Sequence, residues 1–222
     1  MPLCVLGRAK RPALPVEYAE GAIPAEAQRA GVTDQQIDPP GAATASGDGA
    51  SYAGVVYDLD GTLVDLAVDW AAVERELHAL LVEAGVDPDG LVTWELLEAA
   101  EDAGVGEAAE DLISEHECAG AERARRLPHA DELGDGTLPA AVCSLNCERA
   151  CRIALDREGL LARVRDVVGR DSLAGRERKP DPEPLLRAVE SLGLEPHEVV
   201  FVGDAERDAE TARRAGTGFR YV

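Results

Sequence analysis

The chain has 222 residues and a mass of 23.4 kDa, enough for one good core or a core with a small accessory domain. Hydrophobic residues make up 45% of it, which excludes a disordered composition, while no run approaches the ~18 apolar residues of a membrane helix and no signal-peptide stretch opens the chain. From those two features a soluble cytoplasmic protein is expected, and the net charge of −21 argues against nucleic acid and anionic membrane surfaces as partners.

Residues 1–52 hold Pro2, Pro12, Pro15, Pro24, Pro39 and Pro40, then a small-residue run from Gly41 to Ser51. They read as a disordered or loosely attached extension. They carry four basic and six acidic residues, so nearly all of the negative charge belongs to residues 53–222. The basic residues are skewed as well: Lys10 and Lys179 are the two lysines, and the rest are arginines. A surface dense in Asp and Glu and almost without Lys suggests adaptation to high salt, where self-repulsion is screened within ~3 Å.

From Val55 onward, short apolar runs alternate with amphipathic helices. Val55–Tyr57 is the first strand and stops at Asp58. Residues 66–137 then contain no convincing strand and at least three helices. In the first, Trp70, Val73, Leu77, Leu80 and Ala84 share a face and Gly85 stops the turn; Thr93–Ala103 and Glu107–Arg126 follow. Ala140–Cys143 is the second strand and Cys147–Glu158 the helix after it. Asp166–Val168 is a third strand. Pro182–Leu192 is a helix, with Asp181 as N-cap and Gly193 past its end. Val199–Val202 and Gly218–Val222 complete the set. The expected fold is α/β: a Rossmann-like parallel sheet with helices on both faces, over 53–65 and 138–222. A small all-helical cap, over 66–137, is inserted after the first strand.

The polar residues of interest follow the apolar runs, where open α/β sheets bind ligands. Asp58 and Asp60, with Gly61 and Thr62, follow the first strand. Ser144 follows the second, Lys179 lies beyond the third, and Asp204 and Asp208 follow the fourth. Clustered carboxylates repel unless a cation joins them. A hard, oxygen-only ligand set suits Mg2+, which keeps waters and accepts a substrate phosphate. Lys179 and Ser144 supply a charge and a hydrogen bond for phosphate oxygens, and Gly61 allows the sharp turn that aims backbone amides at an anion. A carboxylate beside the metal can attack phosphorus.

The run Asp58-Leu59-Asp60-Gly61-Thr62-Leu63-Val64-Asp65 resembles the first motif of the haloacid dehalogenase superfamily. Val142-Cys143-Ser144 is similar to its second motif, Lys179-Pro180-Asp181-Pro182 to its third, and Val202-Gly203-Asp204 with Asp208 to its fourth. The place of the helical segment resembles the capped subfamily of phosphoglycolate phosphatases and β-phosphoglucomutases. The resemblance implies Asp58 as nucleophile and Asp60 as acid and base. It implies Mg2+ held by Asp58, the Asp60 carbonyl, Asp204 and Asp208, and phosphate held by Gly61, Thr62, Ser144 and Lys179. The expected activity is Mg2+-dependent hydrolysis of a small phosphorylated metabolite through an aspartyl-phosphate. A sugar phosphomutase using the same intermediate, or a catalytically weak binding protein of the same fold, are the alternatives. Residues 66–137 contain no lysine, which removes the Schiff-base chemistry of phosphonate hydrolases.

Other polar residues receive plainer expectations. Cys143, Cys147 and Cys151 are read as buried packing, and Asn146 as an ordinary helix N-cap. His78, His116, His129 and His197 are read as surface or packing residues. Arg123, Arg125 and Arg126 are read as a solvated helix face.

Overall fold

The computed structural model describes residues 51–173 and 177–222. The extension expected over 1–52 lies outside the described residues except for Ser51 and Tyr52.

Five strands form one parallel sheet. β1 (Gly54–Tyr57) is central, between β4 (Ala140–Cys143) and β6 (Val199–Gly203). β5 (Val164–Val168) and β7 (Gly218–Tyr221) are the edges, giving the order β5-β4-β1-β6-β7. All four residues of β1 and of β4 are buried, as continuous apolar runs covered on both sides must be. Alternate residues of each run serve opposite faces. Val55, Tyr57, Ala140, Val142 and Val202 pack with α4 (His129–Asp135) and α5 (Glu148–Arg157) through Ala130, Leu133, Ala150, Ala154 and Leu155. Val56, Ala141, Cys143, Val168 and Phe201 pack on the other face with α6 (Glu183–Leu192) and α7 (Glu206–Ala215).

A helical insert lies between two short strands, β2 (Val64–Asp65) and β3 (Arg125–Arg126), which pair antiparallel: Val64 opposes Arg126 and Asp65 opposes Arg125. Between them run α1 (Trp70–Glu83), α2 (Thr93–Asp102) and α3 (Gly106–Ala121). Asp69 caps α1 by accepting the Ala72 amide at 3.0 Å, and Gly85 ends that turn at φ +81°. The insert has its own core of Val73, Leu77, Leu81, Leu96, Leu97, Ala100, Ala109 and Ile113. Among the described residues, no helix is long and apolar enough to cross a membrane.

Several boundaries differ from the periodicity. The third helix of the insert stops at Ala121, five residues short of the expected Arg126. Arg125 and Arg126 turn back to pair with β2, which returns the chain to the sheet. α4 falls within 66–137, yet Ala130 and Leu133 join the cluster on the sheet face and not that of the insert. β5 begins at Val164, two residues before the expected strand, because pairing with β4 recruits it despite the polar Arg165 and Asp166. α6 begins at Glu183, with Asp181 accepting the Glu183 amide at 2.9 Å and Gly193 in the left-handed region at φ +71°.

Candidate active site

The chain leaves β1, visits β4 and β5 on one side, then crosses to β6 and β7 on the other. The loops therefore diverge at the carboxyl end of β1, and ligands bind at such a switch point. Asp58 sits there, its amide bonded to the Val202 carbonyl at 2.8 Å. The loop after it turns sharply: the amides of Leu63 and Val64 return to the Leu59 carbonyl at 2.9 and 3.0 Å. Gly61 adopts φ +80°, and a Cβ there would overlap the Asp204 carboxylate, so glycine is needed for both turn and close approach. Asp60 points one oxygen at the Leu66 amide, at 2.8 Å. Thr62 is fully buried, its hydroxyl has no hydrogen-bond partner among the described residues, and neither Gly61 nor Thr62 lines the cavity described below.

Lys179 crosses to this group from the loop before α6. Its Nζ lies 2.9 Å from Asp58 Oδ1 and 2.6 Å from Asp208 Oδ1, with the Phe201 ring 5.5 Å away. Asp208 spends its other oxygen on the Ala205 amide at 3.1 Å, which also satisfies the first turn of α7. Gly203 permits this, since a Cβ would lie 2.7 Å from the Asp208 carboxylate. Carboxylate oxygens of Asp58, Asp204 and Asp208 lie within 4.8 Å of one another.

Burial raises the Asp58 carboxyl pKa; the Lys179 charge opposes this and Asp208 adds to it. Burial pushes Asp60 up to about 6, against the Leu66 amide and with help from Asp58, Asp65 and Asp204. Asp204 is raised by burial and then by Asp208. Burial opposes charge on Lys179, but the two carboxylates outweigh it and hold the ammonium above the usual lysine range.

A cavity of about 270 Å³ opens above these groups. Asp58, Asp60, Ser144, Lys179, Asp204 and Asp208 all line it, so the sequence-derived acidic residues, hydroxyl and ammonium meet at one place. Trp70 and Trp94 of the insert line it too, with ring centroids 6.1 Å apart, as does Arg207 of α7. These are the two tryptophans of the chain, a signal available in the composition but hidden by helical periodicity, which assigns Trp70 to packing.

Ser144 is buried; its Oγ donates to Asn146 Oδ1 at 3.0 Å and accepts the Asn146 amide at 3.2 Å. Asn146 is therefore not the N-cap of α5. Cys147 holds that place, its sulfur accepting the Ala150 amide at 3.4 Å. Behind this loop lies a cluster that the sequence did not reveal. Fully buried Glu117 of α3 bonds the Asn146 side chain and the Cys147 amide, and pairs with Arg170 at 2.7 Å. Arg170 follows β5 and also pairs with Glu110 at 2.7 Å.

The remaining candidates lie elsewhere. Cys143, Cys147 and Cys151 are buried free thiols; burial pushes Cys143 and Cys147 up to about 12 and raises Cys151 well above the usual range. His116 faces Glu76 and His129 faces Glu132, outside the cavity. Arg125 pairs with Asp65 across the β2–β3 ribbon and Arg126 with Asp131, so these arginines brace the ribbon and do not lie on a helix.

Comparison with known proteins bears on this arrangement. The family described as haloacid dehalogenase-like hydrolase matches residues 129–222. A phosphoglycolate phosphatase of Rhodospirillum rubrum is 34% identical over 201 residues, covering 73% of this chain and 76% of that protein. An N-acetylmuramic acid 6-phosphate phosphatase of Pseudomonas aeruginosa is 31% identical over 182 residues, covering 73% and 78%. Among solved structures, a phosphatase of the same family from Thermococcus onnurineus superposes with a TM-score of 0.51 at 20% identity, covering 76% of this chain and 85% of that one, which shows the shared fold.

Proposed function

The chain belongs to the haloacid dehalogenase-like hydrolases, and from that premise we propose that it is a Mg2+-dependent phosphomonoesterase of small phosphorylated metabolites, working through an aspartyl-phosphate on Asp58. The observation that carries this reading is the convergence of Asp58, Asp204, Asp208 and Lys179 at the end of β1, beneath one cavity. The two relatives named for phosphatase activity favour hydrolysis over phosphoryl return to a sugar. The three-helix insert is the cap, and its two tryptophans form the outer wall against the substrate.

The residues fit a Mg2+ ion on their own chemistry. The donors are all oxygens, three of them from carboxylates, and Gly61 leaves room for the Asp204 carboxylate that a Cβ would displace. Asp58, Asp204, the Asp60 carbonyl and Asp208, directly or through water, would hold it. Bound there, it would draw charge from the phosphoryl oxygens.

The protein's own groups do the rest. Lys179 and the Ser144 hydroxyl hold phosphoryl oxygens. A carboxylate oxygen of Asp58 attacks phosphorus, and the ester P–O bond breaks. The departing oxygen takes the proton of the Asp60 carboxyl, whose burial lifts its pKa to about 6 and so keeps a protonated fraction close to neutral pH. Asp60, now ionised, takes a proton from water as that water attacks the aspartyl-phosphate. Inorganic phosphate leaves, and Asp58 and Asp60 return to their starting states. The net charge of −21 disfavours polyanionic partners, in keeping with small phosphorylated metabolites as the substrates.

A screen of phosphorylated metabolites in molar KCl, with and without Mg2+, tests the reading. Phosphate release that needs Mg2+ and stops with a chelator is expected. Release indifferent to chelation, or no release from any compound, would sink it.

A further inference from the structure

We propose that Glu117, on helix α3 of the insert, is a positioning residue for the phosphoryl group: it orients the Asn146 amide, and through it the Ser144 hydroxyl, so that insert docking and the phosphate-contacting loop form one hydrogen-bonded unit. The proposal rests on the phosphate role given to Ser144 above.

Glu117 is fully buried on the face of α3 that also buries Ile113, Gly120 and Ala121, where periodicity calls for an apolar residue. An ionised side chain is retained in such a place only if it is paired and hydrogen-bonded. Both oxygens are doubly used. Oε1 accepts Asn146 Nδ2 at 3.1 Å and Arg170 Nη1 at 2.7 Å. Oε2 accepts the Cys147 amide at 2.9 Å and Arg170 Nη2 at 3.1 Å. Arg170 Nη1 also donates to the Leu145 carbonyl at 2.7 Å, and the Arg170 amide to the Asn146 carbonyl at 2.9 Å. The loop from Leu145 to Cys147 is thus held at every residue by Glu117 or by its partner Arg170.

The chemistry at Asn146 follows from this. Only the NH2 end of an amide can donate to a carboxylate, so Glu117 turns Asn146 Oδ1 toward Ser144. Ser144 Oγ donates to that oxygen and accepts the Asn146 backbone amide. A rotation about Cβ–Oγ takes the proton from Asn146 Oδ1 to a phosphoryl oxygen while the lone-pair contact to the amide stays. Without Glu117 the Asn146 amide loses the bond that distinguishes its two ends. Because Glu117 belongs to the insert, displacing α3 removes its hold on the loop.

The test compares Glu117→Gln with Glu110→Gln in the full chain. Glu110 pairs with the same Arg170 and bonds none of the loop residues among those described. Steady-state kinetics on a phosphomonoester give KM, kcat and the inhibition constant of inorganic phosphate. Hydrogen exchange at residues 144–147 needs no turnover. Glu117→Gln should raise KM and the phosphate inhibition constant roughly 10- to 100-fold, as loss of a supporting partner does at other sites, and speed exchange in the loop. Glu110→Gln should lower the melting temperature comparably yet leave KM, the inhibition constant and loop exchange near wild type. Equal changes in both variants, or a change in melting temperature alone, would overturn the proposal. If Glu117→Gln does not fold, Asn146→Ala keeps Glu117 on Arg170 and on the Cys147 amide. It should raise the phosphate inhibition constant similarly, and an unchanged constant counts against the relay. A wild-type chain that hydrolyses no phosphomonoester would fail the proposed function, while loop exchange would still decide whether Glu117 holds the loop.

Discussion

Lys179 is the single lysine between residues 53 and 222, and the fold seats it on Asp58 and Asp208. Arginine's planar fork does not replace a compact ammonium in such a place. Lys179→Met should lower kcat/KM by about 100-fold or more, measured at steady state, as loss of other preorganised charges does. Activity within a few-fold of wild type would remove Lys179 from the site chemistry. Asp60 separates from Asp58 by role. Asp60→Asn should slow alkyl phosphates roughly 100- to 10,000-fold by removing the proton donor. A nitrophenyl phosphate leaves as a stable phenolate and needs no donor, so its first step should survive while water attack stays slow. Rapid mixing should show a burst of about one equivalent of phenolate. No burst, with equal losses for both substrate types, would assign Asp60 a purely structural part.

At the scale of elements, the insert is a three-helix unit with its own apolar core on a two-stranded ribbon. Leu77 is fully buried within that core. Leu77→Ala should destabilise by about 2–5 kcal/mol, read from the urea midpoint. Hydrogen exchange should locate the loss: amides of α1, α2 and α3 exchange faster, while those of β1, β4 and β6 keep their protection. Uniform acceleration would show insert and sheet opening as one unit. The helices themselves were legible, because apolar spacing and glycines mark them: Gly85 and Gly193 stop helices where the sequence places those stops. The end of α3 was not legible. Residues 122–126 have no local reason to leave a helix; their reason is β2, some 60 positions earlier.

Across the whole molecule, the net charge of −21 governs the electrostatics at long range. Exposed ion pairs such as those of Glu210 with Arg213 and Arg214 offset little of it, since surface pairs contribute ~0–1 kcal/mol each. Self-repulsion should weaken the fold as salt is removed. The melting temperature should rise between about 0.1 M and 2 M KCl, followed by circular dichroism, as the Debye length falls from ~10 Å toward 3 Å or less. An unchanged midpoint across that range would count against adaptation to salt.

Asp58, Asp60, Ser144, Asp204 and Asp208 could be picked out from the sequence because they come shortly after apolar runs, and Lys179 because it is the single lysine of residues 53–222; a parallel sheet brings the carboxyl ends of its strands together. That inference needs only local pattern and chain direction. The buried Glu117–Arg170 pair, the Asn146 amide turned toward Ser144, and the two tryptophans facing the carboxylates needed the tertiary structure. A polar residue on an apolar helix face, or a tryptophan in a helical stripe, has the same local signature whether it packs or works. What distinguishes the two is which partner lies across the interface, and chain positions 53 residues apart, as Glu117 and Arg170 are, meet only when insert and sheet are docked.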